Sequence, residues 1–291
     1  TTIHDAGGTP RSRGFSQGWS GAGNTGWMFG GQTWGGGNTA LLDDLWQLDL
    51  GTGQWTWRGG RQTSSVDTPA LPDEAANGLA PSPRTAHGAT AIGTDGSAYI
   101  FGGYGQRRDG AVGLLNDLWQ FDPTQATADA TGTPWLAVDA GSTVPSQRAT
   151  HAMWTQDGVL WMHGGESSAG FLADLWTYDA TGSGWQQVQS AAAGSPGVYG
   201  SDAPPQRGDT LRPGARHRQT VWLDQRDPNT VWMMGGEGHD VHGQNGWLDD
   251  LWRLHLPDAS SRDSAPEWEW VGGSAIAAGY APPLQWGPTG R

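Results

Sequence analysis

Short runs of alternating apolar and polar residues recur along the chain, bounded by glycine, asparagine and aspartate. Leu118-Trp-Gln-Phe-Asp122, Gln54-Trp-Thr-Trp57 and Glu267-Trp-Glu-Trp-Val271 all alternate with a period of two, the pattern of a strand that buries one face. Ser97-Ala-Tyr-Ile-Phe101 is a compact apolar run and reads as a strand of similar length. Between such runs stand Asp95-Gly96, Asp157-Gly158, Asp227-Pro228-Asn229 and Gly23-Asn24, residues that tolerate positive φ and close hairpins. The predicted unit has four strands. The first follows an arginine, as in Arg84-Thr-Ala-His-Gly-Ala-Thr-Ala-Ile92, and the second runs into a Gly-Gly pair. A polar loop of variable length is expected beyond the glycines, then the third strand, then a fourth that carries a closing tryptophan.

These units repeat. Pro-x-x-Arg occurs at Pro10–Arg13, Pro81–Arg84, Pro145–Arg148, Pro213–Arg216 and Pro288–Arg291, at spacings of 71, 64, 68 and 75 residues. An aromatic residue precedes each glycine pair by three places: Trp27, Tyr99, Trp161 and Trp232. Asp-Leu-Trp follows at Asp44–Trp46, Asp117–Trp119, Asp174–Trp176 and Asp250–Trp252, and the units close on Trp55, Trp135, Trp185 and Trp268. The framework is kept while loop lengths drift, as expected of surface loops. No segment has sustained helical periodicity, and 48 glycines with 18 prolines oppose long helices. The fold class is therefore all-β, and four antiparallel strands per repeat point to the blades of a β-propeller. The predicted blades are 10–80, 81–144, 145–212 and 213–287, with 1–9 as the end of a preceding blade and 288–291 as the start of a further repeat. Nineteen tryptophans suit sheets stacked about 10 Å apart, because a large ring spans that gap.

The glycine pairs, the aromatic before each, the Asp that opens the third strand and the closing tryptophans resemble the kelch-repeat propellers over nearly all of residues 10–287. Trp268–Gly273, Gly197-Val-Tyr-Gly200, Pro213-Gly-Ala-Arg216 and Leu248–Trp252 resemble the long-repeat kelch proteins of microbial cell surfaces. That resemblance implies an extracellular, periplasmic or cell-surface location. Kelch propellers usually have six or seven blades, and four are recognisable here. Ile3-His-Asp-Ala-Gly-Gly8 is similar to Val138-Asp-Ala-Gly-Ser142 before the next Pro-x-x-Arg, so a segment of a longer polypeptide is expected, with an open or four-bladed ring as the alternative.

Charge and composition narrow the function. Twenty-four Asp and 5 Glu face 16 Arg and no Lys, a net charge of −13. No basic surplus exists to displace counterions from phosphates, which argues against nucleic-acid binding. Nothing approaches the roughly 20 apolar residues of a membrane span, so direct membrane insertion is not expected, and the absence of cysteine removes any disulfide framework. Galactose oxidase and its relatives, which are kelch-like, depend on a Cys–Tyr cross-link beside copper; this chain has no cysteine for it. His-Glu-x-x-His and phosphate-loop motifs are absent, and no cofactor or catalytic residue is assigned. Asp44, Asp117, Asp174 and Asp250 recur once per blade and read as scaffold. His87 and His151, where the other blades have Ser16 and Gln219, read as strand histidines. His239, Asp240 and His242 on a glycine-rich loop form a weak candidate for a divalent metal.

The resemblance places the loop entering the first strand and the loop after the glycines on one face, where kelch adaptors use arginines to grip acidic peptides. It thereby implies a binding ring of Arg13, Arg84, Arg148 and Arg216, joined by Trp34, Tyr104, Arg107, Arg108, His239, His242 and Trp247. The opposing reading is that the arginines tie the scaffold through backbone carbonyls. The expected function is a non-enzymatic protein-interaction module or a subunit of a larger assembly. An obligate partner would cover apolar loop residues such as Leu114, Leu115 and Phe171. The alternative is a carbohydrate-binding or carbohydrate-active propeller, for which Trp34 and Trp247 stand outside the framework positions.

Overall fold

The computed structural model describes residues 8–35, 38–61, 79–86, 88–91, 96–107, 109–126, 133–139, 141, 143–180, 182, 184–201, 203–257 and 265–278. His87, Arg108, most of the leading fragment 1–9 and the final Pro288–Arg291 lie outside these residues. Four antiparallel sheets follow one another along the chain, one per repeat. The first pairs Gln17–Ser20, Thr25–Phe29, Leu45–Asp49 and Trp55–Gly59 in sequence order. The second is built from Arg84–Thr85 and Gly88–Ala91, then Ala98–Gln106, Val112–Phe121 and Trp135–Val138. Ala152–Gln156, Val159–Ser167, Gly170–Asp179 and Gly184–Gln189 make the third. The fourth has Arg216–His217 and Thr220–Leu223, then Thr230–His239, Asn245–His255 and Glu267–Gly272. Gln206–Gly208 adds an outer strand to the fourth sheet, which therefore reaches back past Pro213. Two compact units result: residues 1–170 with 174–190 hold the first three sheets apart from Phe171–Ala173, and 171–173 with 191–291 hold the fourth.

The glycine pairs do not end the second strand, as the sequence pattern implied. Ala98–Gln106 and Thr230–His239 run straight through them, and a shift of register against the third strand, between Leu115 and Leu118 in one blade and between Met234 and Gly236 in the other, marks a bulge. Two successive residues of positive φ make this bulge, with φ 57° and 98° at Gly102-Gly103 and 66° and 106° at Gly164-Gly165. Side chains strain in that region, so the pair is glycine in every blade. Past the bulge the two middle strands continue as a hairpin. In the first repeat it separates into its own ribbon, Gln32–Gly35 with Asn38–Leu41.

Within the first unit, neighbouring sheets are joined by the same three backbone bonds at each step. Arg84 N donates to Leu42 O and Arg148 N to Leu115 O, both at 3.0 Å. Gly31 N donates to Arg84 O and Gly103 N to Arg148 O, both at 2.8 Å. Ala86 N donates to Phe15 O (3.0 Å) and Thr150 N to Ala86 O (2.8 Å). Aromatic rings fill the space between the sheets. Trp19, Trp27 and Phe29 meet Phe121 and Trp135 edge to face, with centroids 4.8–6.3 Å apart. Tyr99 and Phe101 meet Tyr178 and Trp185 in the same manner at 5.7 and 5.2 Å. Each such ring removes on the order of 150–250 Å² from water.

Gly165 shows how closely the bulge is packed: a Cβ there would lie 2.8 Å from His151 Cβ and 2.9 Å from Ala149 O. Gly165→Ala combines this clash with a φ of 106° and is expected to cost more than about 1 kcal/mol. Urea denaturation checks this, and an unchanged midpoint would contradict it.

Candidate functional site

The repeat motif converges on one buried cluster in each blade. The repeat arginine enters the first strand and reaches across to the Asp of Asp-Leu-Trp as a two-pronged pair: Arg13 with Asp44 (2.6 and 2.7 Å), Arg84 with Asp117 (2.7 and 2.7 Å), Arg148 with Asp174 (2.7 and 2.8 Å), Arg216 with Asp250 (2.7 and 2.6 Å). Nη1 also donates to the carbonyl of the first bulge glycine, at Gly30, Gly102, Gly164 and Gly235, 3.0–3.1 Å away. Nε donates to the carbonyl two residues earlier, at Arg11, Ser82, Ser146 and Gly214. In the second and third blades Ser82 Oγ and Ser146 Oγ take the last donor. All five guanidinium N–H groups are then satisfied in those two blades. Asp-Leu-Trp has its own logic. Residues two apart on a strand share a face, so the indole N–H of Trp46, Trp119, Trp176 and Trp252 donates to the carboxylate of the Asp before it.

The arginine binding ring predicted from the resemblance is therefore corrected. The side chains of Arg84, Arg148 and Arg216 are 0% exposed and that of Arg13 is 5%. With their donors directed at groups of their own blade, they have nothing left to grip an acidic peptide. Burial alone would raise the Asp117, Asp174 and Asp250 carboxyls, but the arginine beside each and the indole N–H hold them below the usual carboxylate range. Asp43, next to the cluster in the first blade, behaves differently. Burial outweighs its bond to Arg61 and raises its pKa to about 6.

The remaining candidates separate. Trp34 and Tyr104 are open, at 55% and 45% exposure. Phe15, which sequence reasoning passed over, stands 50% exposed with its ring 6.4 Å from Trp34. Thr85 joins these positions: it pairs with Tyr104 across the strands, and its hydroxyl donates to Phe15 O. Arg107 turns towards Gln147. In the other unit, Trp247 is exposed and pairs with Glu237, which contacts His217. Phe171 stacks on His217 at 4.3 Å, and Leu115 is buried, so neither is the bare apolar loop residue expected. The His239–His242 loop is a turn in which the carboxylate is already engaged by the backbone. Asp240 is 1% exposed and accepts backbone N–H bonds from His242, Gln244 and Ala277, while His239 Nδ1 lies 3.1 Å from Gly243 O. Among the described residues no three His, Cys, Asp or Glu side chains gather as a metal ion requires.

Residues 65–203 match the KLHDC2/KLHL20/DRC7 kelch-repeats domain. The fold class is that of a kelch-type β-propeller. Tip elongation aberrant protein 3 of Schizosaccharomyces pombe is 30% identical over 132 residues, 38% of this chain and 11% of that protein. The leucine-zipper-like transcriptional regulator 1 homolog of Drosophila melanogaster is 29% identical over 116 residues, 39% of this chain and 11% of that protein. The chain thus spans about a tenth of the length of each of these relatives. The solved structure of YjhT superposes with a TM-score of 0.53 at 16% identity, covering 89% of this chain and 65% of that one, a likeness of fold. Kelch repeats in general mediate protein–protein interaction and are usually not enzymes.

Two expectations follow from the cluster. Arg148→Ala strands a buried carboxylate and is expected to cost about 3–5 kcal/mol. Arg148→Lys, which keeps the charge but loses the fork, is expected to recover only a minor part in denaturant titrations. Asp43 has a folded pKa above its unfolded value, so its favourable contribution is complete below about pH 4 and is lost as the pH rises through about 6. Asp43→Asn should therefore stabilise the fold more at pH 8 than at pH 4, and an equal effect at both pH values would refute the assignment.

Proposed function

We propose that this chain is a non-enzymatic protein-interaction module that contacts its partner through the exposed aromatic residues at the arginine end of its blades. The observation that carries this reading is the contrast at that end. The repeat arginines are locked inside, whereas Phe15, Trp34 and Tyr104 are about half exposed on backbone linked through Thr85. Exposed aromatic side chains with few rotatable bonds are what interface hot spots are made of. The carboxylates that recur in every blade are engaged by arginine and tryptophan, which supports a scaffold role for them over acid–base chemistry. An extracellular or cell-surface setting is part of the same proposal, supported by the acidic, lysine-free composition. The glycan alternative rests on Trp34 as a stacking platform.

The experiment is selection of displayed peptides on the wild-type protein, followed by affinity measurement against a Trp34→Ala/Tyr104→Ala variant. Both residues are surface-exposed, so the fold should be kept, which circular dichroism verifies. Loss of at least tenfold in affinity is expected. Unchanged peptide affinity would exclude this end as the contact surface, and Trp34-dependent retention on a glycan array would favour the carbohydrate reading instead.

A further inference from the structure

The four ion-pair clusters are not equally closed. The Asp44, Asp174 and Asp250 side chains are 0%, 8% and 0% exposed, whereas that of Asp117 is 40% exposed. The fourth blade shows what closes such a cluster. Tyr199, from the stretch leading into that blade, donates its hydroxyl to Asp250 Oδ2 at 2.6 Å. Its ring lies 5.0 Å from Trp252 and 5.2 Å from Trp270, and Trp270 stands directly across from Trp252 on the neighbouring strand. In the second blade the matching position across from Trp119 is Ala137. The space taken by two rings in the fourth blade is here an open-sided cleft of about 340 Å³, lined by Asp117, Trp119 and Ala137, with Gln106, Arg107 and Gln147 on its polar side. Residues 62–78, which lead into this blade, contain no aromatic residue.

We propose that the Asp117 cleft is a binding site for a phenol, the side chain of a tyrosine on a partner protein, seated with its hydroxyl on Asp117 Oδ2 and its ring over Ala137, at the edge of Trp119. The chemistry favours a neutral donor. Arg84 already balances the Asp117 charge through two hydrogen bonds, so a lysine or arginine would bring an unmatched positive charge into the cleft, whereas a hydroxyl adds one more bond to an ionised acceptor. Against the upward push of burial, Arg84 and Trp119 hold the Asp117 carboxyl below its usual range, which keeps it an acceptor at neutral pH. The volume exceeds a single phenol ring, leaving room for the flanking peptide to reach Gln106 and Gln147. The cleft shares no residue with the Phe15–Trp34–Tyr104 surface, so it is a second site and stands or falls separately.

The test is a titration of the full chain with N-acetyl-tyrosinamide and, in parallel, N-acetyl-phenylalaninamide, read by calorimetry and by the Trp119 indole N–H resonance. Saturable binding of the tyrosine probe is expected, with the phenylalanine probe at least tenfold weaker for want of a hydrogen bond to a charged acceptor. Ala137→Trp places in the cleft the side chain that the fourth blade has at Trp270. Ala137 is on the surface, so the variant is expected to fold, keep the Arg84–Asp117 pair and lose tyrosine binding. Ala137→Leu, which fills the cleft in part, should weaken binding by an intermediate factor. Equal affinity for the two probes, no saturable binding, or tyrosine binding undiminished in both Ala137 variants would each overturn the proposal.

Discussion

Everything in these blades is hung on one interaction, the buried fork of arginine on aspartate. Its geometry demands three things of the chain at once. A carboxylate must stand beside the bulge where the third strand pairs with the second, a carbonyl must turn inward at the bulge, and an indole must lie two residues beyond the carboxylate. Pro-x-x-Arg, Gly-Gly and Asp-Leu-Trp are those three demands written in sequence. Desolvating both charges offsets much of the Coulombic gain, so a buried pair of this kind adds little net stability compared with an apolar replacement. What it does is exclude alternatives: any slip of the third strand by one residue would turn Asp and Trp to the opposite face and leave a guanidinium buried without an acceptor. Stability comes instead from the aromatic rings between sheets, whose positions the fork fixes.

That division explains which parts could be read in advance. Strand count, strand order and the propeller class follow from period-two alternation and from the recurrence of Gly-Gly, because both are backbone properties imposed on every repeat. The post-glycine segment was harder. Two glycines in a row look like the end of a strand, and only the paired hydrogen bonds on either side of Gly102-Gly103 show that they sit within one. The arginines were open to two opposite readings for a related reason. Residue type and period show that a side chain matters but not which way it points, and an arginine that binds acidic peptides looks the same in sequence as one that binds its own aspartate. A usable sign was present all the same. One arginine and one aspartate recur together in each blade, at separations of 31, 33, 26 and 34 residues, and two charges that repeat in step are more economically explained as partners than as separate surface features.

The framework also shows where variation is free. In each blade the residue two places after the repeat arginine has a left-handed backbone: Phe15, Ala86, Thr150 and Arg218, with φ of 53–58°. None is glycine, although a non-glycine residue there costs on the order of 1–2 kcal/mol. The conformation is held from outside. The preceding arginine is pinned in its fork, the bulge glycine leans on the backbone from the other side, and in the first unit the N–H and C=O of these residues form the chain of bonds from Phe15 to Ala86 to Thr150. The backbone is thus the same in each blade while the side chain differs. A phenyl ring, a methyl, a hydroxyl and a guanidinium occupy the four equivalent places. A position whose backbone is over-determined and whose side chain differs from blade to blade is where a repeat protein can change its partner without changing its fold, and in the first blade that position carries Phe15, half exposed beside Trp34.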